Sequence, residues 1–161
     1  MRGPTLLAIV AVLTTVPDLA AQEPLAARAD LIDAQGRKIG EATLLETPYS
    51  GVRIELDIAD QPPGVHAFHV HETGSCEPPA FESAGGHYAP RGNVHGFLNP
   101  EGAHAGDLLN LRIPETGRLR TEQLASQVTL RPDAPNTLFD DDGSALVIHA
   151  GPDDYRSQPA G

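Results

Sequence analysis

All seven histidines of the 161-residue chain fall between residues 66 and 149, and the first 65 residues contain none. His69-Val70-His71 puts two imidazoles at i and i+2, which project from one face of a strand and can reach one metal ion. His66 has the opposite parity, shared with Phe68 and Val70, and reads as a structural histidine bonded to loop backbone. His87, His95 and His104 recur in a stretch rich in Gly and Pro, and Asp107 follows them. Three imidazoles and a carboxylate make a tetrahedral zinc set. His149 ends the run Ala145-Leu146-Val147-Ile148 and becomes a third donor beside His69 and His71, in imidazole chemistry that suits copper as well as zinc. Two four-coordinate sites need more donors than these six histidines and one aspartate supply, unless one imidazolate serves both metals. Spacing alone does not choose the shared ring.

Such donors need a rigid frame, and from residue 27 the hydrophobic period is two rather than 3.6. Ala27–Ala34 and Ile39–Glu46 flank a turn at Gln35-Gly36-Arg37-Lys38 and read as a hairpin. Val52, Ile54, Leu56 and Ile58 alternate with Arg53, Glu55 and Asp57, the pattern of a half-buried antiparallel strand. Further strands are expected over Val65–His71, Asp107–Ile113, Gly117–Thr121 and Ala145–His149. Residues 72–106 read as one long loop and residues 132–144 as a second. Several short strands with turn-forming punctuation predict an antiparallel barrel or sandwich. A loop of that length inside a compact domain needs something to hold it, and its histidines are the candidates.

Composition narrows the function. Sixteen Gly and 15 Pro are too many for a helical bundle. Twenty-two acidic against 11 basic residues give a net charge of −11, which argues against a binder of the phosphate backbone of nucleic acids. Residues 1–21 read as a secretory signal peptide: Arg2, an apolar run from Leu6 to Val16 too short to span a bilayer, then small residues at Ala20-Ala21. The chain is therefore expected to be exported, periplasmic or secreted, with one domain over residues 22–161. The zinc set, with four protein ligands, leaves no open position for a hydrolytic water.

Gly64-Val65-His66-Ala67-Phe68-His69-Val70-His71-Glu72 resembles the copper-binding signature of copper–zinc superoxide dismutases. The stretch from Cys76-Glu77-Pro78-Pro79 to Gly85-Gly86-His87-Tyr88-Ala89-Pro90 is similar to the disulfide and bridging-histidine loop of their bacterial, exported branch. His95, His104-Ala105-Gly106-Asp107-Leu108 and the segment from Gly143 to Asp154 match further family segments in order. The resemblance covers roughly residues 28–161. It implies a Greek-key β-barrel that dismutates superoxide with copper and zinc, and a possible homodimer. Carried over by position, His69, His71, His87 and His149 would hold copper, and His87, His95, His104 and Asp107 zinc. His87 would be the bridging imidazolate and proton donor. Asp153 would link ligands of the two metals from outside.

The resemblance also implies a last strand, with a second cysteine and an active-site arginine, that has no counterpart before Gly161. Cys76 would then lack its disulfide partner, one sheet edge would lie open, and Arg156 is not assigned the missing role. A shortened enzyme and a copper- and zinc-binding domain without enzymatic activity are the two expectations that follow.

Overall fold

The computed structural model describes residues 25–158, so the leader expected over residues 1–21 lies outside them. Eight antiparallel strands follow in order: β1 (Ala26–Ile32), β2 (Lys38–Glu46), β3 (Val52–Ile58), β4 (Gly64–His66), β5 (Phe68–His71), β6 (Leu111–Ile113), β7 (Leu119–Ala125) and β8 (Ala145–Ile148). The only helical element among the described residues is one 3₁₀ turn, Glu82–Ala84.

The β1–β2 hairpin closes over Asp33, whose Oδ1 accepts the Gln35 and Arg37 N–H groups at 2.9 Å each. This is the local side-chain-to-backbone bonding that makes Asp a turn residue. One sheet runs β1-β2-β3-β7, so β3 bypasses its successors in sequence to pair with β7. The remaining ladders are β4–β6 and β5–β8. These long crossings give the fold its Greek-key character. Among the described residues the barrel is not closed: the strands fall into three separate sheets, and only β2 and β3 are paired with strands on both edges.

The alternation read along β3 sets the core. Val52, Ile54, Leu56 and Ile58 are buried, and Phe68, Val70, Leu111, Ile113, Val128, Leu130 and Leu138 pack against them in one cluster. A fully buried aliphatic side chain of this kind contributes about 1.5–3 kcal/mol.

Three strands differ from expectation. Val65–His71 breaks at Ala67, whose C=O accepts the His149 N–H (2.9 Å) and whose N–H is donated to Gly151 (2.8 Å). The two halves therefore serve different ladders. Asp107–Ile113 is regular only from Leu111, and the Gly117–Thr121 strand runs instead over Leu119–Ala125.

The long loop after β5 is tied back to that strand by main-chain bonds. Tyr88 N–H is donated to Val70 C=O (2.9 Å), Val70 N–H to Gly106 C=O (2.8 Å), and Gly106 N–H to Tyr88 C=O (2.9 Å). Gly106 is required here, since a Cβ on it would lie 2.3 Å from the Val70 carbonyl oxygen. The segment leading into the second loop is anchored by Glu46, whose carboxylate accepts from Thr129 Oγ1 (2.8 Å) and the Leu130 N–H (2.7 Å).

Candidate metal centre

β5 is buried on both faces. Phe68 and Val70 enter the core, while His69 and His71 lie under the long loop, where isolated bridges pair His69 with Asp107 and His71 with His87. Two donor groups result, each with its ligand atoms within 4.8 Å of one another: His69, His71, His87, His149, and His69, His87, His95, Asp107.

In the first group the outer ring nitrogens fix the inner ones. His71 Nδ1 lies 2.9 Å from the Gly85 carbonyl oxygen, which can only accept, so Nδ1 carries the proton and Nε2 keeps its lone pair. His69 Nε2 faces Asp153 Oδ2 at 3.0 Å, which leaves Nδ1 as the bare nitrogen. Both bare atoms point at His149 Nε2, at 3.0 Å from His69 and 3.3 Å from His71. One proton on His149 Nε2 cannot serve both, whereas a cation among the three satisfies all of them.

Burial keeps these rings neutral. Desolvation, with the neighbouring His87, pushes the His69 pKa down to about 3. Burial beside His71 and His87 brings His149 down to about 4, and burial lowers His71 in the same direction. Neutral imidazoles with inward lone pairs are the metal-binding form.

The second group centres on Asp107. Its Oδ2 accepts the Gly96 N–H (2.8 Å) and the His104 N–H (3.0 Å), so the carboxylate is fixed by backbone. Its Oδ1 faces three Nδ1 atoms, of His95 (2.9 Å), His87 (3.0 Å) and His104 (3.5 Å). A tetrahedral zinc with bonds near 2.0–2.1 Å has ligand–ligand edges of about 3.3 Å, which these distances bracket. Burial opposes ionisation of Asp107, yet hydrogen bonds from His87, the Gly96 N–H and His95 hold its carboxyl well below the usual range. His104 belongs to neither compact group, but its Nδ1 is buried and has no hydrogen-bond partner among the described residues. An orphaned buried nitrogen aimed at a carboxylate fits a missing cation.

Asp153 joins the two groups. Its Oδ1 lies 2.9 Å from His95 Nε2 and its Oδ2 3.0 Å from His69 Nε2, and it is itself buried. Burial works against a charged His95, but Asp153 and Asp107 on its two sides outweigh burial and raise its pKa. In the metal-free protein a proton can thus stand where a metal ion would displace it.

The remaining sequence-derived candidates lie nearby or apart. His66 is buried, with Nδ1 2.9 Å from the His149 carbonyl oxygen and Nε2 3.0 Å from that of Pro62. Cys76 is an exposed free thiol in the long loop. Sequence reasoning did not single out the Gly85 carbonyl, the Gly96 N–H or Asn110, which binds the main chain of Asp153 at 2.8 and 2.9 Å. An asparagine at the mouth of a strand was the only available signal for the last of these, since Asn is depleted inside strands.

The family model for copper/zinc superoxide dismutase matches residues 38–161. A Cu-Zn superoxide dismutase of Aquifex aeolicus is 51% identical over 140 residues, covering 86% of this chain and 81% of its own. The crystal structure of a superoxide dismutase-like protein from Bacillus subtilis superposes with a TM-score of 0.80 at 37% identity, over 83% of this chain and 89% of that one. The copper/zinc superoxide dismutase of Brucella abortus does so with a TM-score of 0.64 at 29% identity, over 84% and 90%. By sequence and by fold, this chain belongs to the copper/zinc superoxide dismutase family.

Proposed function

We propose that the chain is an exported superoxide dismutase that holds copper and zinc in adjoining sites. His69 Nδ1, His71 Nε2, His149 Nε2 and His87 would bind copper, and the Nδ1 atoms of His87, His95 and His104 with Asp107 Oδ1 would bind zinc. The observation that carries this reading is the convergence of ligand atoms on two centres, with His69 and His87 common to both donor groups; His69 Nε2 is taken by Asp153, which leaves His87, with Nδ1 turned to Asp107, as the ring to be shared. The orphaned His104 Nδ1 supports its place in the zinc set.

Two superoxide anions and two protons give one dioxygen and one hydrogen peroxide. Copper, when bound, supplies the one-electron exchange that no side chain here can perform, while zinc adds fixed positive charge. His87 has Nδ1 turned to Asp107, which leaves Nε2 as its remaining donor. A proton taken up at His87 Nε2 is available inside the site for the dioxygen unit that becomes peroxide, which is general acid–base chemistry.

Export rests on the signal-like residues 1–21. No helix among the described residues is long and apolar enough to cross a membrane. Mass measurement of protein recovered from the periplasm, with a new N-terminus near Gln22, tests this part. A homodimer would find exposed apolar side chains in Phe97, Leu98, Leu109 and Leu124, and sedimentation of the metal-loaded protein checks it.

Superoxide consumption per bound copper, measured with EDTA present, decides between enzyme and metal-binding domain. Rapid, chelator-resistant turnover supports the enzyme. Stoichiometric copper and zinc without turnover leaves the non-enzymatic reading on the same fold.

A further inference from the structure

Asp153 touches both donor groups, yet it stands outside every ladder, in the irregular segment after β8. What holds its main chain is one side chain. Asn110 Oδ1 accepts the Asp153 N–H at 2.9 Å, and Asn110 Nδ2 donates to the Asp153 carbonyl at 2.8 Å. Both main-chain groups of Asp153 are taken by one amide, much as a neighbouring strand would take them. The polarity is forced, because an N–H needs an acceptor and a carbonyl needs a donor.

Asn110 is itself tied down. Its own N–H is donated to the Tyr155 hydroxyl at 2.9 Å, and the Tyr155 N–H returns to Asp153 Oδ1 at 2.6 Å. It also follows Asp107 closely in the chain and leads directly into β6. A short, hydrogen-bonded path therefore connects the carboxylate of the zinc set with the carboxylate between the sets.

We infer that Asn110 is a positioning residue for both metal sites: it sets where the Asp153 carboxylate stands, and through it the ring orientation of His69 and His95. This rests on the two-metal reading above. Outer partners of metal-binding histidines fix tautomer and ring orientation, and their loss typically costs about 10–100-fold in metal affinity. Asn110 acts one step further out, on the partner that His69 and His95 share.

The test is a double-mutant cycle on the full chain, with zinc affinity read by competition against a chromophoric chelator and the copper site by electron paramagnetic resonance. Asn110→Ala should weaken zinc by about 10–100-fold and change the copper spectrum. Asp153→Asn should do the same, and the double variant should be no weaker than Asp153→Asn by more than about twofold. Asn110→Asp keeps the volume but turns an oxygen toward the Asp153 carbonyl, and it carries the same cycle should Asn110→Ala not fold. Unchanged affinity and spectrum in either Asn110 variant would overturn the inference, as would full additivity with Asp153→Asn. A wild-type chain that fails to bind both metals would overturn the two-metal reading itself. A wild type that binds both, with an indifferent Asn110, overturns only this role.

Discussion

The Tyr88 hydroxyl donates to the Thr137 carbonyl at 2.5 Å, joining the loop that carries His87 to the second long loop. Tyr88 is buried, and its backbone also bonds Val70 and Gly106, so the residue beside His87 is held by both loops and by β5. Tyr88→Phe removes the hydroxyl and leaves the Thr137 carbonyl without that donor. A lost bond of this kind costs about 1–3 kcal/mol. Urea unfolding of the metal-free protein should show a lower midpoint with an unchanged slope. An unchanged midpoint would mean that the two loops are not coupled through this contact.

Separate ligand sets predict separate losses. In the proposed assignment, His71→Ala removes a copper donor that plays no part in the zinc set, and His104→Ala does the reverse. Each should weaken its own metal by more than about 100-fold, beyond the range for outer partners, and leave the other within a few-fold. Metal analysis after dialysis against a graded chelator reads both. Equal loss of both metals in either variant would contradict two distinct sites, and loss of zinc in His71→Ala would assign that ring to the wrong metal.

Much of this site was legible because alternation along a strand is a local property. His69 and His71 share a face by their spacing, and the buried residues of β3 follow directly from the pattern Val52, Ile54, Leu56, Ile58. What the sequence concealed depends on main-chain partners far along the chain. The break at Ala67 exists because β4 pairs with β6 and β5 with β8, and nothing in Val65–His71 encodes that division. The strand expected from Asp107 starts late because Asp107 and Asn110 bond the site and the Asp153 backbone rather than a ladder, while Leu108 packs in the core. Asn110 was invisible for the same reason, since it binds the backbone of a residue that could have any side chain. The ring proposed to serve both metals was beyond spacing as well, because only the fold shows which rings lie in both donor groups.

Cys76 is predicted to react slowly for an accessible thiol. Partial burial raises its pKa above the ordinary value of 9.0. The thiolate is the nucleophile, so a raised pKa means less reactive form at pH 8 than in free cysteine. Alkylation by iodoacetamide should be slower than that of free cysteine at pH 8 and should climb steeply as pH rises past 9. A rate at pH 8 equal to or above that of free cysteine would mean that the loop around Cys76 opens in solution.

Two glycines separate close approach from mere presence. Gly106 lies where a Cβ would meet the Val70 carbonyl oxygen at 2.3 Å, whereas a Cβ on Gly151 would meet nothing within 4 Å. Neither has a positive φ, so the contrast is steric rather than conformational. In Gly106→Ala the obstacle is backbone of β5, which cannot swing aside as a side-chain tip would. Relief requires the long loop to lift away from the strand that carries His69 and His71. The cost should be about 1–3 kcal/mol or more, as for overpacking at a rigid site. Because Asp107 follows Gly106, zinc affinity should fall with it. Gly151→Ala, although its carbonyl accepts from Ala67, should stay within about 0.5 kcal/mol of the parent. Thermal unfolding of the metal-free variants, with zinc competition on each, checks both halves. A Gly106→Ala protein of parental stability and zinc affinity would show that the loop is not clamped to β5 as closely as its hydrogen bonds require.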